Sequence, residues 1–238
     1  MKRTAPIFIL KQQAKVLSRS EKIPLHQALD RIANRQGFSA WSLLSAKAAA
    51  DESSASLLAE FRPGDLVLVA SRPGQGKTLL SLELAVKTMR QGNQAAFFTL
   101  EFTAADVAAC LKTMGEVLSN FSASFLIDDG DQICADHIMA RLASAPAKTL
   151  VIIDYLQLLD QKRQNAALMD QVRRLKSFAR ERQLIILCLS QIDRRYDPAK
   201  RPCPGVRDVR LPNPLDLGLF KRTCFLNKGT LQLASAPA

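Results

Sequence analysis

The 238 residues, 47% of them hydrophobic and 23% charged, suffice to bury a full α/β core with a small appendage. No apolar run approaches the ~20 residues of a membrane span, Pro6 to Leu10 is too short for a signal peptide, and five cysteines without C-x-x-C or Cys/His spacing argue against zinc and read as reduced cytoplasmic thiols. A formal charge of +11 favours a polyanionic partner, nucleic acid first.

Residues 1–50 read as a separate basic helical module. Ile7, Leu10, Ala14 and Leu17 recur at helical spacing, and Pro24 stands at a helix N1 position before Leu25, Leu29 and Ile32. Gly37 ends that helix, and Ser39 is placed to cap a third one carrying Trp41, Leu43 and Leu44. The module holds nine basic against two acidic side chains, +7 of the total +11. Two readings stand open for it: a solvated basic face, or a DNA-binding or docking module. So small a core is expected to pack on the main domain or on a neighbouring subunit. Residues 51–59, small and polar at their start, read as a linker to a second domain over 60–238.

That second domain is organised around Leu66 to Thr78. A buried strand feeds a loop with Pro73, Gly74 and Gly76, and Lys77-Thr78 open an amphipathic helix to Met89. Strand, glycine loop and helix are the context a phosphate-binding loop requires. The loop residues Ser71, Arg72, Pro73, Gly74, Gln75 and Gly76 are expected to turn their backbone N–H groups, where they have one, onto phosphate oxygens, and the helix N-terminus to add partial positive charge. Lys77 is expected to reach the β/γ-phosphates and the Thr78 hydroxyl to hold Mg²⁺. Ser71 stands where the usual motif has its first glycine.

Gly92 stops the helix, and Gln94 to Leu100 is a second buried strand ending in Glu101. Thr103 to Asp106 has the form of a capping box opening a helix through about Leu118. A short strand at Phe125 to Asp128 precedes a helix from about Gln132 to Ala143. Leu150-Val151-Ile152-Ile153-Asp154 is a buried strand ending in an acid, the second signature of a nucleotide site, with Asp154 placed to organise a Mg²⁺-bound water. A basic helix over Asn165 to Arg182 and a strand over Leu184 to Leu189, ending in Ser190-Gln191, follow. From Ile192 to about Leu215 five prolines break any periodicity, and a loop this long is functional or disordered. Thr223 to Leu226 and Thr230 to Leu233 suggest a hairpin.

Taken together, residues 60–222 resemble the RecA-like ATPase domain of hexameric replicative DNA helicases, the DnaB family. Pro63-Gly64-Asp65 leading to Ser71-Arg72-Pro73-Gly74-Gln75-Gly76-Lys77-Thr78 resembles the family's Walker A region, where a small residue often replaces the first glycine. Phe98-Thr99-Leu100-Glu101-Phe102 is similar to the element supplying the catalytic glutamate, and Ile153-Asp154-Tyr155-Leu156-Gln157 to the Walker B segment. Leu189-Ser190-Gln191-Ile192-Asp193-Arg194 resembles the motif whose glutamine senses the γ-phosphate, and Arg201-Pro202 with Asp208-Val209-Arg210 echoes the stretch beyond it.

The resemblance implies an α/β fold with a mostly parallel central sheet flanked by helices, and ATP with Mg²⁺ as cofactors. It implies single-stranded DNA as partner, together with a homo-oligomer or a replication protein. It casts Lys77, Glu101 and Gln191 as catalytic, and Thr78 and Asp154 as metal-binding. Loops after the Walker B strand and after the glutamine motif then become DNA-facing, carrying Lys162 and Arg163 in one and Arg194, Arg195, Lys200, Arg201, Arg207 and Arg210 in the other. Tyr196 is the one aromatic in either loop. After Arg210, Leu211-Pro212-Asn213-Pro214-Leu215 stands in place of the family's polar stretch, and the family's Lys-x-Arg finger has no counterpart in the sequence. The family's larger N-terminal domain is replaced by the basic module. A slow ATPase, a non-motor nucleotide switch and a small-molecule phosphotransferase with an Arg-rich lid are the competing readings.

Overall fold

The computed structural model describes residues 7–160, 165–197, 199–211, 213–227 and 230–235. The chain divides into two units, the first ending at Ser56 and the second running from Leu57.

In the first unit α1 (Ile7–Glu21) and α2 (Leu25–Arg35) are followed by α3 (Trp41–Glu60), whose last turn, from Leu57, belongs to the second unit. Leu10, Ala14, Ala28, Ile32, Ala33 and Leu44 form its core, and Trp41 and Phe38 flank it half-buried. The first free N–H of α3 is capped by Asp30, whose Oδ1 accepts from the Trp41 N–H at 2.8 Å. Ser39, the residue expected in that role, is exposed; a carboxylate eleven positions away in sequence does the work once α2 is folded. Residues 51–59 are helical. They contain neither glycine nor proline, so nothing interrupts α3 before Phe61.

The second unit is built on seven strands: β1 (Leu66–Ser71), β2 (Ala95–Thr99), β3 (Phe125–Asp128), β4 (Leu150–Asp154), β5 (Ile185–Gln191), β6 (Arg222–Asn227) and β7 (Thr230–Ser235). They lie in the order β3-β2-β4-β5-β1-β6-β7. All pairings are parallel except β6 with β7. Interleaved helices are α4 (Lys77–Arg90), α5 (Ala104–Thr113), α6 (Ala135–Arg141) and α7 (Leu168–Arg182).

The central strands are apolar throughout because both faces are covered. Leu66, Leu68, Ala70, Val151, Ile153, Ile186 and Cys188 share one core with Ile138 of α6 and Val172 and Leu175 of α7. Their alternate neighbours Val67, Val69, Leu150, Ile152 and Leu187 share the other with Leu82 and Ala85 of α4 and Val107 of α5.

Helix ends account for the boundary differences. The Thr103–Asp106 capping box is present, with the Asp106 N–H donating to Thr103 Oγ1 at 3.2 Å and the Thr103 N–H donating to Asp106 Oδ2 at 2.9 Å. The helix stops at Thr113 rather than Leu118 because Gly115 takes φ +81° and the Glu116 N–H returns to Leu111 O at 2.9 Å. Helix α6 starts at Ala135 rather than Gln132, where Oε1 of the buried Gln171, on α7, accepts the Ala135 N–H at 2.9 Å.

Candidate nucleotide site

The C-terminal ends of the parallel strands carry the candidate site. Strand register sets Ser71 beside Gln191 and Thr99 beside Asp154, so motifs far apart in sequence arrive at the same level. The loop after β1 turns through Gly74 (φ +73°) and Gly76 (φ +84°). A Cβ on either would meet nothing within 4 Å, so glycine is required there by backbone conformation, and the space above the loop is open to a ligand. Gly76 precedes α4 without any side-chain cap, leaving the first helical N–H groups directed at that space.

Lys77 is buried at 8% exposure. The neighbouring Thr78 Oγ1 donates to Asp154 Oδ2 at 2.8 Å. Asp154 is fully buried, and among the described residues its other oxygen, Oδ1, has no hydrogen-bond partner. Burial pushes the Asp154 carboxyl above the ordinary aspartate range; Lys77 and the Thr78 bond oppose that, and the nearby Glu101 reinforces it. A buried carboxylate oxygen left unsatisfied is costly. A divalent cation shared with the Thr78 hydroxyl would relieve it, so the donor set of Thr78 and Asp154 fits Mg²⁺.

Glu101 is exposed and held by its backbone. Thr99 Oγ1 accepts N–H bonds from Glu101 at 3.1 Å and Phe102 at 3.3 Å. The turn that carries Glu101 is thereby fixed at the wall of the cleft. Glu101, Gln191, Lys77, Thr78, Gly74 and Gly76 line one cleft of ≈ 410 Å³, within the size range of ligand sites. Phe102 and Cys110, with Pro73 and Leu79, add to its wall. Phe102 was legible only as the end of the Phe98-Thr99-Leu100-Glu101-Phe102 run, and Cys110 only as one of five cysteines, since apolar walls carry no motif.

The segment from Ile192 to Arg210, expected to be irregular, is tied down at both ends. The Ile192 N–H donates to Ser71 O at 2.9 Å, the Arg210 N–H to Gln191 O at 2.8 Å and the Asp193 N–H to Asp208 O at 2.7 Å. Tyr196 is buried at 3% exposure and its hydroxyl donates to Arg201 O at 2.7 Å. It is therefore not a stacking surface. Arg201 bonds Asp208 at 2.7 Å and lies 5.6 Å over the Tyr196 ring, so part of its charge is spent inside the loop. Arg194, Arg195, Lys200, Arg207 and Arg210 are exposed. Lys162 and Arg163 lie outside the described residues.

Gln157 was legible only as part of the Asp-Tyr-Leu-Gln run. Its Nε2 donates to Ser190 Oγ at 3.0 Å and to Arg210 O at 2.7 Å. It thereby ties the segment after β4 to the end of β5 and to the far end of the basic loop. Arg72 Nη2 reaches Arg194 O at 3.5 Å, a second thread from the phosphate loop to the same segment.

Comparison with known proteins agrees with this arrangement. The chain is 29% identical over 185 residues to a replicative DNA helicase DnaB of Geobacillus stearothermophilus, covering 63% of this chain and 40% of that protein. It is 30% identical over 191 residues to the replicative DNA helicase DnaC of Bacillus subtilis, covering 65% and 41%. The chain thus spans about 40% of the length of these relatives. Among solved structures, an isolated ATPase domain superposes with TM-score 0.54 at 21% identity over 69% of each chain. A DnaB-like replicative helicase studied with primase gives 0.57 at 20% identity over 74% of this chain and 56% of that one. These two likenesses establish the RecA-like fold. Among the described residues no helix is long and apolar enough to cross a membrane. The DnaB-like helicase C-terminal domain model matches residues 54–119 and 111–212, the stretch that carries the phosphate loop, Glu101, Asp154 and Gln191, and the chain belongs to that family.

Proposed function

We propose that the second unit binds ATP with Mg²⁺ and hydrolyses it slowly, in contact with single-stranded DNA. The observation that carries this reading is the hydrogen bond from Thr78, next after Lys77 at the end of the glycine loop, to the fully buried Asp154, whose Oδ1 is unsatisfied among the described residues. Lys77 and the loop N–H groups would neutralise phosphate charge. When bound, Mg²⁺ would screen the β- and γ-phosphate oxygens; Thr78 and Asp154 would hold it. Glu101 would orient a water and accept its proton as the water oxygen attacks the γ-phosphorus, releasing ADP and phosphate. Gln191, one hydrogen bond from Arg210, would pass the state of the γ-phosphate to the basic segment.

Among the described residues no arginine lines the cleft. Arginine fingers contribute about 10³–10⁵ in rate in related chemistry, so turnover by a lone chain should be slow. Arg194, Arg195, Arg207 or Arg210 of a neighbouring copy, or a replication partner, would supply the missing cation. The same observation favours a second reading, a nucleotide-binding switch with no turnover. A phosphotransferase lid is disfavoured, because the arginine-rich segment is bonded at both ends to β1 and β5.

The test is ATP turnover with and without oligo(dT), paired with light scattering. The Glu101→Gln variant should keep binding a fluorescent ATP analogue while turnover falls by about 10²–10⁴. Turnover at the wild-type rate in that variant removes Glu101 from the site. Tight ATP binding with no turnover under any condition selects the switch.

A further inference from the structure

The first unit lies almost wholly outside the family match, which begins at residue 54. One face of its α1 combines two features. Phe8 is 61% exposed, and it is the one aromatic among the exposed large hydrophobic residues described. Lys11, Lys15 and Arg19 follow at intervals of three, four and four residues, which places all four side chains on one face of a helix. That face points away from Leu10 and Ala14, which are buried in the core. All three cations are exposed and none has a carboxylate partner among the described residues. Arg31, on α2, is by contrast neutralised by Glu21. Successive cations rise by about 6 Å along the helix axis.

We infer that this face of α1 is a second contact for single-stranded DNA, with phosphates along Lys11, Lys15 and Arg19 and a base stacked on Phe8. Single-strand binding sites combine a cationic track with an aromatic platform. The basic loop of the second unit lacks the platform, because Tyr196 is buried. A second copy of the chain is a poor occupant, since the module's +7 would meet +7. An acidic protein segment would be drawn to the cations but gains nothing specific from an aromatic plane.

The experiment is fluorescence anisotropy of labelled oligo(dT) with the full chain across a salt series. Lys11→Glu/Lys15→Glu/Arg19→Glu should weaken binding by at least about tenfold and flatten the log K against log salt slope by about 2, as expected for three phosphate contacts on a single strand. Phe8→Leu should weaken oligo(dT) binding about 5- to 100-fold and Phe8→Trp should restore it; neither should change binding of a duplex of equal length. All four positions are exposed, and retained binding of an ATP analogue checks that the variants fold and keeps this inference separate from the nucleotide site. Unchanged affinity and slope in the triple variant overturn the inference. So does wild-type binding by Phe8→Leu, or polyglutamate binding as tightly as oligo(dT).

Discussion

The nucleotide cleft and the exposed face of α1 carry charge in opposite ways. At the cleft Lys77 is buried, and so is Asp154, bonded to the cleft residue Thr78; each oxygen of the Asp154 carboxylate has a distinct situation, since one accepts from Thr78 and the other is unsatisfied among the described residues. On α1, Phe8, Lys11, Lys15 and Arg19 are exposed and, on the proposal above, would act by number and spacing. A buried site depends on single atoms, because desolvation makes every unmatched partner costly. A solvated face is additive and salt-sensitive, because water and ions screen each charge. The first should therefore fail abruptly on mutation and the second by degrees.

The largest contrast concerns packing. Ile152 of β4 is fully buried, whereas Val16 is 66% exposed. Ile152→Ala should cost about 2–5 kcal/mol in chemical denaturation, and Val16→Ala at most about 0.5 kcal/mol. Comparable losses would mean that α1 is covered rather than solvated.

Next in size is Thr78→Val, which keeps volume but removes the donor to Asp154 Oδ2. It leaves a buried carboxylate without its bond, at about 1–3 kcal/mol. Calorimetry should show Mg²⁺-dependent ATP-analogue binding lost, while the salt slope for oligo(dT) on α1 is kept. Parallel loss of both would join the two regions into one site.

The smallest effect is read by thiol chemistry. Burial pushes the Cys188 thiol up to about 12, and burial, helped by Cys203, pushes Cys224 up to about 12. At a pH of about 8, below the ordinary thiol range, an aromatic disulfide reagent should label Cys110, Cys134 and Cys203, which are partly exposed, well before Cys188 and Cys224. Because both pKa values lie above the ordinary thiol value of 9.0, these thiols favour the unfolded chain once it can ionise: stability is unaffected by them below pH ~9 and falls as pH rises from there towards ~12. Rapid labelling of all five would show that the sheet opens.

Much of the second unit was legible from local patterns. Buried strands read as continuous apolar runs, and the phosphate loop as glycines at fixed spacing before Lys77-Thr78. What was not legible involves partners distant in sequence. Asp30 caps α3 from α2, and Gln171 caps α6 from α7. Tyr196, read as the one aromatic of its loops, is buried. Gln157 spans 33 and 53 positions to reach Ser190 and Arg210, and no short window along the chain contains both ends.

The sequence by itself determined the strand–loop–helix at Leu66 to Met89, the acid at the end of β4 and the basic character of α1, because each depends on residues a few positions apart. Only the tertiary structure decided that Thr78 meets Asp154, that Glu101 and Gln191 share their cleft, and which cations stay free. Strand order and register bring those groups level, and burial then sets which of their polar atoms find a partner.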